Sequence, residues 1–142
     1  MVLSRRVILA LLAICDIALH ARASRVSARE LSQRYQLPPR HFESILQDLT
    51  RAGIIRGQRG PKGGYELAVE RRRLPISAIL EAVYKHPDND ILPPDGLAAR
   101  LVGSVVEAAD QRLKSLLSDI SIDDVLERST LKAEVNAGDF SI

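Results

Sequence analysis

The 142-residue sequence contains a single cysteine, no tryptophan, and only three tyrosines and two phenylalanines. The lone Cys15 excludes an internal disulfide framework and fits the reducing cytoplasm, where we expect the protein to act. It also excludes a zinc or iron–sulfur site built from several cysteines of this chain. The scarcity of aromatic residues argues against the stacking platforms on which proteins bind single-stranded nucleic acids.

The sequence also lacks an apolar run long enough to span a bilayer, so no membrane association is predicted. Its most apolar stretch, from Val7 to Leu19, follows a basic start and precedes Ala21-Arg22-Ala23, an arrangement typical of a signal peptide. Asp16 interrupts this stretch, however, and a buried first helix would have a similar composition. The composition alone therefore leaves both interpretations open.

Net charge is only +2, but the charge is unevenly distributed. Residues 1–73 carry 14 Lys and Arg against 6 Asp and Glu, a net charge of +8, and residues 74–142 carry 6 against 12, a net charge of −6. This asymmetry favours a polyanionic partner for the first half alone. A solvated basic face is the other explanation.

Two start signals predict a helix beginning at Ala28. Ser27 and Glu30 have the spacing of a capping box, and Val26 and Leu31 have the spacing of a hydrophobic staple. Two prolines at 38 and 39 force this helix to end near residues 34–35. An earlier helix is predicted over residues 4–20, where apolar residues recur at helical spacing: Val7, Ile8, Leu11, Leu12, Cys15 and Leu19.

The next helix is predicted from about Pro39 to Ala52, with Gly53 closing it. Its apolar face comprises Phe42, Ile45, Leu46 and Leu49. Its polar face carries Arg40, Ser44, Gln47 and Arg51, with Glu43 on the flank. A short helix, a tight turn and a second helix with a polar outer face are typical of a helix-turn-helix, although an ordinary helical hairpin has the same pattern.

A glycine-rich hairpin follows the two helices. Strands are predicted at residues 54–56 and 65–68, and four of the eight residues between them are glycines. A helix-turn-helix with such a hairpin is a winged helix, and Arg59 is long enough to enter a minor groove. A nucleotide-binding loop is disfavoured because the stretch lacks a G-K-[ST] ending and leads into a strand.

A fourth helix starts at Pro75, and a long helix is predicted over residues 96–119 with an apolar stripe. Self-association through this stripe is the expected reason for its length, and packing back on the same subunit is the alternative. A short helix is predicted over residues 121–127. The stripe comprises Leu97, Leu101, Val105, Ala109, Leu113, Leu116 and Ile120.

The predicted fold class is mainly α, with a two-stranded wing and a long C-terminal dimerisation helix. The domain organisation is predicted as a winged helix-turn-helix domain at 1–84, a loop at 85–95, a dimerisation arm at 96–128 and a flexible tail at 129–142.

Over residues 2–128 the sequence resembles the IscR-type (Rrf-two) family of bacterial winged-helix transcription regulators. The most specific part runs from Arg59 to Leu67, R-G-P-K-G-G-Y-E-L, which is similar to the family's R-G-P-x-G-G-Y-x-L signature. The resemblance is supported by Leu3-Ser4-Arg5 and by residues 12–19, 42–46 and 117–126. The resemblance disfavours a signal peptide, because the family's first helix is itself apolar and retained.

The resemblance implies a homodimeric regulator, more typically a repressor, bound to a partly palindromic operator in double-stranded DNA. It implies base or minor-groove contacts by Arg40, Glu43, Ser44 and Arg59. It implies phosphate contacts by Ser4, Arg5, Ser27, Lys62 and Gly63. The dimer interface would comprise Leu97, Leu101, Val105, Ala109, Leu113 and Leu116. Arg40 departs from the small polar residue of many relatives, so the operator is expected to differ.

A second departure concerns the iron–sulfur cluster that many relatives hold with three cysteines before the dimerisation helix. Residues 85–100 contain no cysteine, so no cluster and no other cofactor is predicted. His86, Asp88, Asp90 and Asp95 lack the spacing of a calcium loop and are interpreted as an ordinary acidic loop, so no metal is predicted. A small-molecule or protein effector remains open.

Two other classes of function compete with the regulator. A winged-helix module that binds protein instead of DNA would have a neutral recognition face, which is contradicted by Arg40, Arg51, Arg59 and Lys62. An enzyme would need a nucleophile and a base brought together, but His20, His41 and His86 fall on separate elements. We therefore expect no enzymatic activity.

Overall fold

The structure is a computed structural model that describes residues 3–84 and 95–129. Residues 85–94 and 130–142 lie outside it, so the predictions for the acidic loop and the tail are untested, and the proposed domain boundary remains a prediction. The described part is mostly helical. It contains helices α1 (Arg5–His20), α2 (Ala28–Tyr35), α3 (Arg40–Arg51), α4 (Ile76–Val83), α5 (Leu97–Ser118) and α6 (Ile122–Arg128), strands β1 (Ile55–Gln58) and β2 (Gly64–Leu67), and a short 3-10 turn at Arg71–Arg73.

Helix α1 lies at the centre of the core, but with a different face inward than predicted. Ala10, Ala13, Ile14 and Ile17 are buried, whereas Ile8, which was expected inside, is 54% exposed. Because α1 is apolar on nearly all sides, its periodicity could not select a face. Because Ala10 and Ala13 have small side chains, the backbones of α3 and α4 can approach that of α1 closely. The other residues of the predicted stripe apart from Val7 are only half-buried: Leu11, Leu12, Cys15 and Leu19.

Helices α2 and α3 form the predicted helix-turn-helix. The Ser27 hydroxyl accepts from the Glu30 N–H at 3.1 Å, and the Glu30 carboxylate accepts from the Ser27 N–H at 2.7 Å, which completes the capping box. Helix α2 ends at Gln36, which adopts a left-handed φ of 54°. The predicted apolar face of α3 is fully buried: Phe42, Ile45, Leu46 and Leu49.

The wing is a two-stranded antiparallel sheet that is joined to the chain before α2. Ile55 pairs with Leu67 and Gln58 with Gly64, so the hairpin tip spans residues 59–63. Val26 and Tyr65 exchange backbone hydrogen bonds of 3.0 and 2.8 Å, which anchors the wing to the start of the helix-turn-helix. The wing therefore has a fixed position relative to α2 and α3.

Helix α5 has one packed end and one exposed end. Leu117 is buried, Leu113 is half-buried against the core, and the Ile122 N–H donates to the Leu74 carbonyl at 2.8 Å. Leu97 and Leu101, by contrast, are each 69% exposed. Within the described residues, the C-terminal end of α5 therefore packs on its own subunit, and self-association through the exposed remainder stays a prediction.

Among the described residues, no helix is both long and apolar enough to cross a membrane.

Candidate nucleic-acid interface

The outer face of α3 is a row of exposed polar side chains. Periodicity brings residues at positions i, i+3, i+4 and i+7 to the same side of a helix, and this side of α3 points away from the core. The exposed residues are Arg40, Glu43, Ser44, Gln47 and Arg51. The base-contact residues predicted on α3 are therefore all accessible.

An open groove of about 930 Å³ separates the C-terminal half of α3 from the wing. Ser27 from the start of α2, Arg51 from α3 and Arg59 from the wing all line it. Three separate elements thus direct polar or cationic groups toward one concave surface. Its lining also includes Arg29, Glu30, Gln47, Thr50 and wing residues 57, 58, 60, 61 and 63–65.

A smaller cavity of about 320 Å³ lies at the other end of α3. Arg5 from the start of α1 lines it together with Arg40 and Ser44. The two cavities make a continuous candidate surface that runs from the start of α1 across α3 to the wing. Glu43 and Lys62 line neither cavity and stay exposed on α3 and at the wing tip.

The wing's only carboxylate is neutralised, whereas its tip cations are not. Glu66 pairs with Arg56 at 2.8 Å and with Arg25 at 3.5 Å, and the hydrogen bond from Arg56 lowers the pKa of Glu66. Within residues 3–84 and 95–129, by contrast, Arg59 and Lys62 form no ion pair. Two exposed charges at the tip are therefore available to an external anion.

The two serines predicted to contact phosphates both cap helices. The Ser4 hydroxyl accepts from the Val7 N–H at 3.3 Å, as the Ser27 hydroxyl does from Glu30. Each hydroxyl hydrogen remains able to donate, and both lie at a positive helix end, which favours an anion. The Gly63 N–H, in contrast, already donates to the Gly60 carbonyl at 2.9 Å within the wing tip.

A family model described as Rrf2, iron-dependent transcriptional regulator, matches residues 3–128. The chain belongs to the Rrf2 family. The IscR regulator of Cereibacter sphaeroides is 32% identical over 77% of this chain and 71% of its own length, and the IscR of Vibrio atlanticus is 26% identical over 83% and 70%. These relatives of the Rrf2 chain are transcriptional regulators and not enzymes, which confirms the predicted class of function.

Solved structures of Rrf2 regulators share this fold. IscR of T. potens superposes with a TM-score of 0.70 at 24% identity, covering 89% of this chain and 86% of that one. CymR, the global cysteine regulator of B. subtilis, superposes with a TM-score of 0.71 at 18% identity, covering 89% and 97%. The predicted winged-helix fold class is thereby confirmed.

The residues of this Rrf2 chain do not fit a cysteine-ligated cluster of the kind that the IscR resemblance implies. Such clusters are held by several thiolates, and the chain has only Cys15, which lies half-buried in α1. Burial, with a smaller effect of Asp16, raises the pKa of Cys15 to about 11, so its thiol stays protonated. In the described ranges, no group of three or more His, Cys, Asp or Glu residues could hold a metal ion.

Two buried carboxylates of the core were not predicted as functional residues. Asp16 accepts from Arg34 and Tyr35 of α2, and Asp48 accepts from Arg6 of α1. Their partners lie 18, 19 and 42 residues away in the chain, so no local spacing announces them. In a sequence rich in arginine, an acid inside an otherwise apolar helical face is the one signal that could have identified them.

Proposed function

We propose that this Rrf2 protein binds duplex DNA as a homodimer and represses transcription from a partly palindromic operator without an iron–sulfur cluster. The observation that carries the proposal is the continuous surface formed by the start of α1, the outer face of α3 and the wing. A dimer that covers a promoter blocks polymerase by occupancy alone, which is why we propose repression.

On α3 we assign Arg40, Glu43 and Ser44 to the base edges of the major groove. All three lie in the first half of the helix, the part that a helix-turn-helix inserts into the groove. Arginine suits the paired acceptors of guanine, and glutamate accepts from the cytosine amino group. Arg59 at the wing tip would enter the adjacent minor groove.

Phosphate contacts are assigned to Ser4, Arg5, Ser27, Lys62 and Gly63, which flank α3 on both sides. The serines supply hydroxyl donors at helix ends, and Arg5 and Lys62 supply charge. Gly63 would contribute through the close approach that a missing side chain allows, because its N–H is already bonded within the wing. These contacts set the position of α3 and carry no sequence information themselves.

We expect Arg59→Ala to weaken binding of a cognate operator by about 1–3 kcal/mol, because the variant loses the cation that would enter the minor groove. The operator is first obtained by selecting bound duplexes from a random pool with the purified full chain. Affinity is then measured by fluorescence titration at one fixed salt concentration.

Arg73→Ala is the matched control for Arg59→Ala. Arg73 is also a highly exposed arginine, but it lines a cavity beside α6 and not the groove next to α3. The Arg73→Ala variant changes the net charge by the same amount at a site away from the groove, so it measures the effect of net charge alone. A shift of less than twofold for Arg59→Ala would remove the wing from the DNA contacts.

The homodimer is supported by the exposed apolar stripe of α5, the part of the predicted interface that does not pack on the core. Its most exposed members, Leu97, Leu101 and Val105, are each about 70% exposed. Contiguous apolar surface of this kind marks an association face. We assign the interface to Leu97, Leu101, Val105, Ala109 and Leu116, with Leu113 at its edge.

We expect a two-chain mass by light scattering at micromolar concentration, and a one-chain mass for Leu101→Asp, because a charge at an apolar interface is left unpaired. Lys114→Asp is the control: Lys114 is exposed, and at 100° per residue it lies about 140° around α5 from Leu101, so its variant should stay dimeric. A wild-type monomer, or a dimeric Leu101→Asp variant, would contradict the assigned interface.

A further inference from the structure

Arg6, at the start of α1, connects three helices through its guanidinium group. Its Nε donates to the Val83 carbonyl at the end of α4 at 3.1 Å, and its Nη1 donates to the Ser44 hydroxyl of α3 at 3.0 Å. Its Nη2 donates to the Asp48 carboxylate, also on α3. Each of the three nitrogens thus has its own acceptor, so three of the five N–H donors of the guanidinium are engaged.

Asp48 fixes the guanidinium in this position. Its side chain is only 2% exposed, and a buried carboxylate needs a charged partner, which Arg6 supplies. Arg51 also approaches Asp48, at 3.5 Å, but remains 69% exposed. The planar fork cannot rotate without losing the Asp48 or the Val83 contact, so the Nη1 donor stays directed at Ser44.

The contact with Arg6 gives the Ser44 hydroxyl a direction. A hydroxyl has one hydrogen and two lone pairs, and here one lone pair accepts from a cation. The neighbouring positive charge polarises the O–H bond and repels the hydrogen of any second N–H donor. Within residues 3–84 and 95–129, Arg6 is the only partner of this hydroxyl, and Ser44 is otherwise exposed on the outer face of α3.

We propose that Arg6 is a positioning residue for sequence specificity: it commits the Ser44 hydroxyl to donate, so that Ser44 selects a base edge that carries an acceptor. The inference rests on the proposed DNA-binding function and adds the direction of one contact. In the major groove, guanine O6, purine N7 and thymine O4 accept, whereas the amino groups of adenine and cytosine donate. Ser44 should therefore respond to acceptors and be indifferent to amino groups.

The test uses the full chain and the operator selected by the wild-type protein. Selection with Ser44→Ala identifies the base pair whose preference depends on Ser44. In that pair, each groove-facing acceptor is then removed in turn, for example N7 by substituting a 7-deazapurine. Each amino donor is removed in the same way, for example by substituting purine for adenine. We expect one acceptor deletion to weaken wild-type binding about three- to tenfold, the effect of one net hydrogen bond, and donor deletions to have no effect.

Arg6→Lys tests the role of Arg6 itself, because lysine keeps the charge but not the fork. We expect this variant to become insensitive to the same acceptor deletion while it keeps its preferences at all other base pairs. In a Ser44→Ala background, Arg6→Lys should change no preference. A residue with a purely structural role would instead lower the affinity for all sequences equally and leave the acceptor sensitivity intact.

Three results would overturn the inference. The first is a Ser44-dependent pair that responds to an amino deletion, the second is a Ser44→Ala variant with unchanged preferences, and the third is an Arg6→Lys variant with intact acceptor sensitivity. If the Arg6→Lys variant does not fold, the first two results still test the inference. The Ser44→Ala variant should fold, because Ser44 is exposed and alanine is the best helix former. If the wild-type protein enriches no duplex, the DNA-binding proposal fails, and the inference fails with it.

Discussion

Replacing Asp16 by alanine is expected to lower the free energy of unfolding by about 3–5 kcal/mol, the usual effect of removing one partner from a buried ion pair. Asp16 is 1% exposed and lies one turn before the C-terminal end of α1. Its carboxylate accepts from the Arg34 Nη1 at 3.2 and 3.3 Å and from the Tyr35 hydroxyl. Burial and the bond to Asp16 raise the pKa of Tyr35, so the phenol keeps its proton and remains a donor.

The size of this effect follows from what stays behind in the variant. The Arg34 side chain is only 13% exposed and would lose its carboxylate partner while still largely shielded from water. Helix α2 has eight residues and buries only Leu31 completely, so apolar packing cannot compensate. We therefore expect the variant to lose most of what fixes α2, the first helix of the helix-turn-helix, against α1.

Urea denaturation followed by circular dichroism measures the loss. Asp110→Ala is the control, since it also breaks an aspartate–cation pair, with Lys114 at 2.8 Å, but both side chains are substantially exposed. Exposed pairs contribute about 0.3–0.5 kcal/mol on a helix, so this variant should unfold almost as the wild type does. A loss below about 1 kcal/mol for Asp16→Ala would show that Arg34 relaxes into solvent.

Local signals in the sequence predicted the elements that form the candidate surface. The capping box at Ser27 and Glu30 located the start of α2 correctly, because a cap depends on residues three apart. The period of 3.6 separated the two faces of α3, and the glycines located the wing. Each of these features is decided within about ten residues of chain, which is why one sequence suffices to predict it.

Contacts between distant parts of the chain were not predictable in this way. The inward face of α1 depends on how closely α3 and α4 can approach, and Ile8 was wrongly expected inside because the helix is apolar on nearly all sides. Asp16 was interpreted as an interruption of an apolar run, although in the structure it is a buried acceptor. Arg6 was counted only as one more basic residue.

The two buried carboxylates give α1 a second role beside its apolar one. Asp16 on α1 holds α2 through Arg34, and Arg6 on α1 holds α3 through Asp48. Both helices of the helix-turn-helix are thus connected by charge to the same central helix, at opposite ends of it. Because charge-assisted hydrogen bonds are directional, these connections constrain the orientation of α2 and α3 relative to α1.

Replacing Gly63 by alanine is expected to weaken operator binding by about 2–4 kcal/mol, more than loss of Arg59 alone, because both tip cations are displaced together. A Cβ at Gly63 would lie 2.3 Å from the Gln58 carbonyl oxygen and 2.8 Å from that of Gly60. Both atoms belong to the backbone, so the tip must open, and the bond from the Gly63 N–H to Gly60 is lost.

Gln58 is the last residue of β1, so the clash disturbs only the end of the strand pairing, and the pairs formed by residues 55–57 and the helical core lie outside it. The variant should therefore keep its far-ultraviolet circular dichroism and its dimeric mass while its Kd rises. Gly57→Ala is the control in the same hairpin. Its added methyl group would meet only the Tyr65 ring, 3.1 Å away, and a ring can move by a few tenths of an ångström. We expect its Kd to stay within about threefold of the wild type, a change well under 1 kcal/mol. If Gly63→Ala also binds within threefold, the wing tip does not contact the operator, and recognition depends on α3 alone.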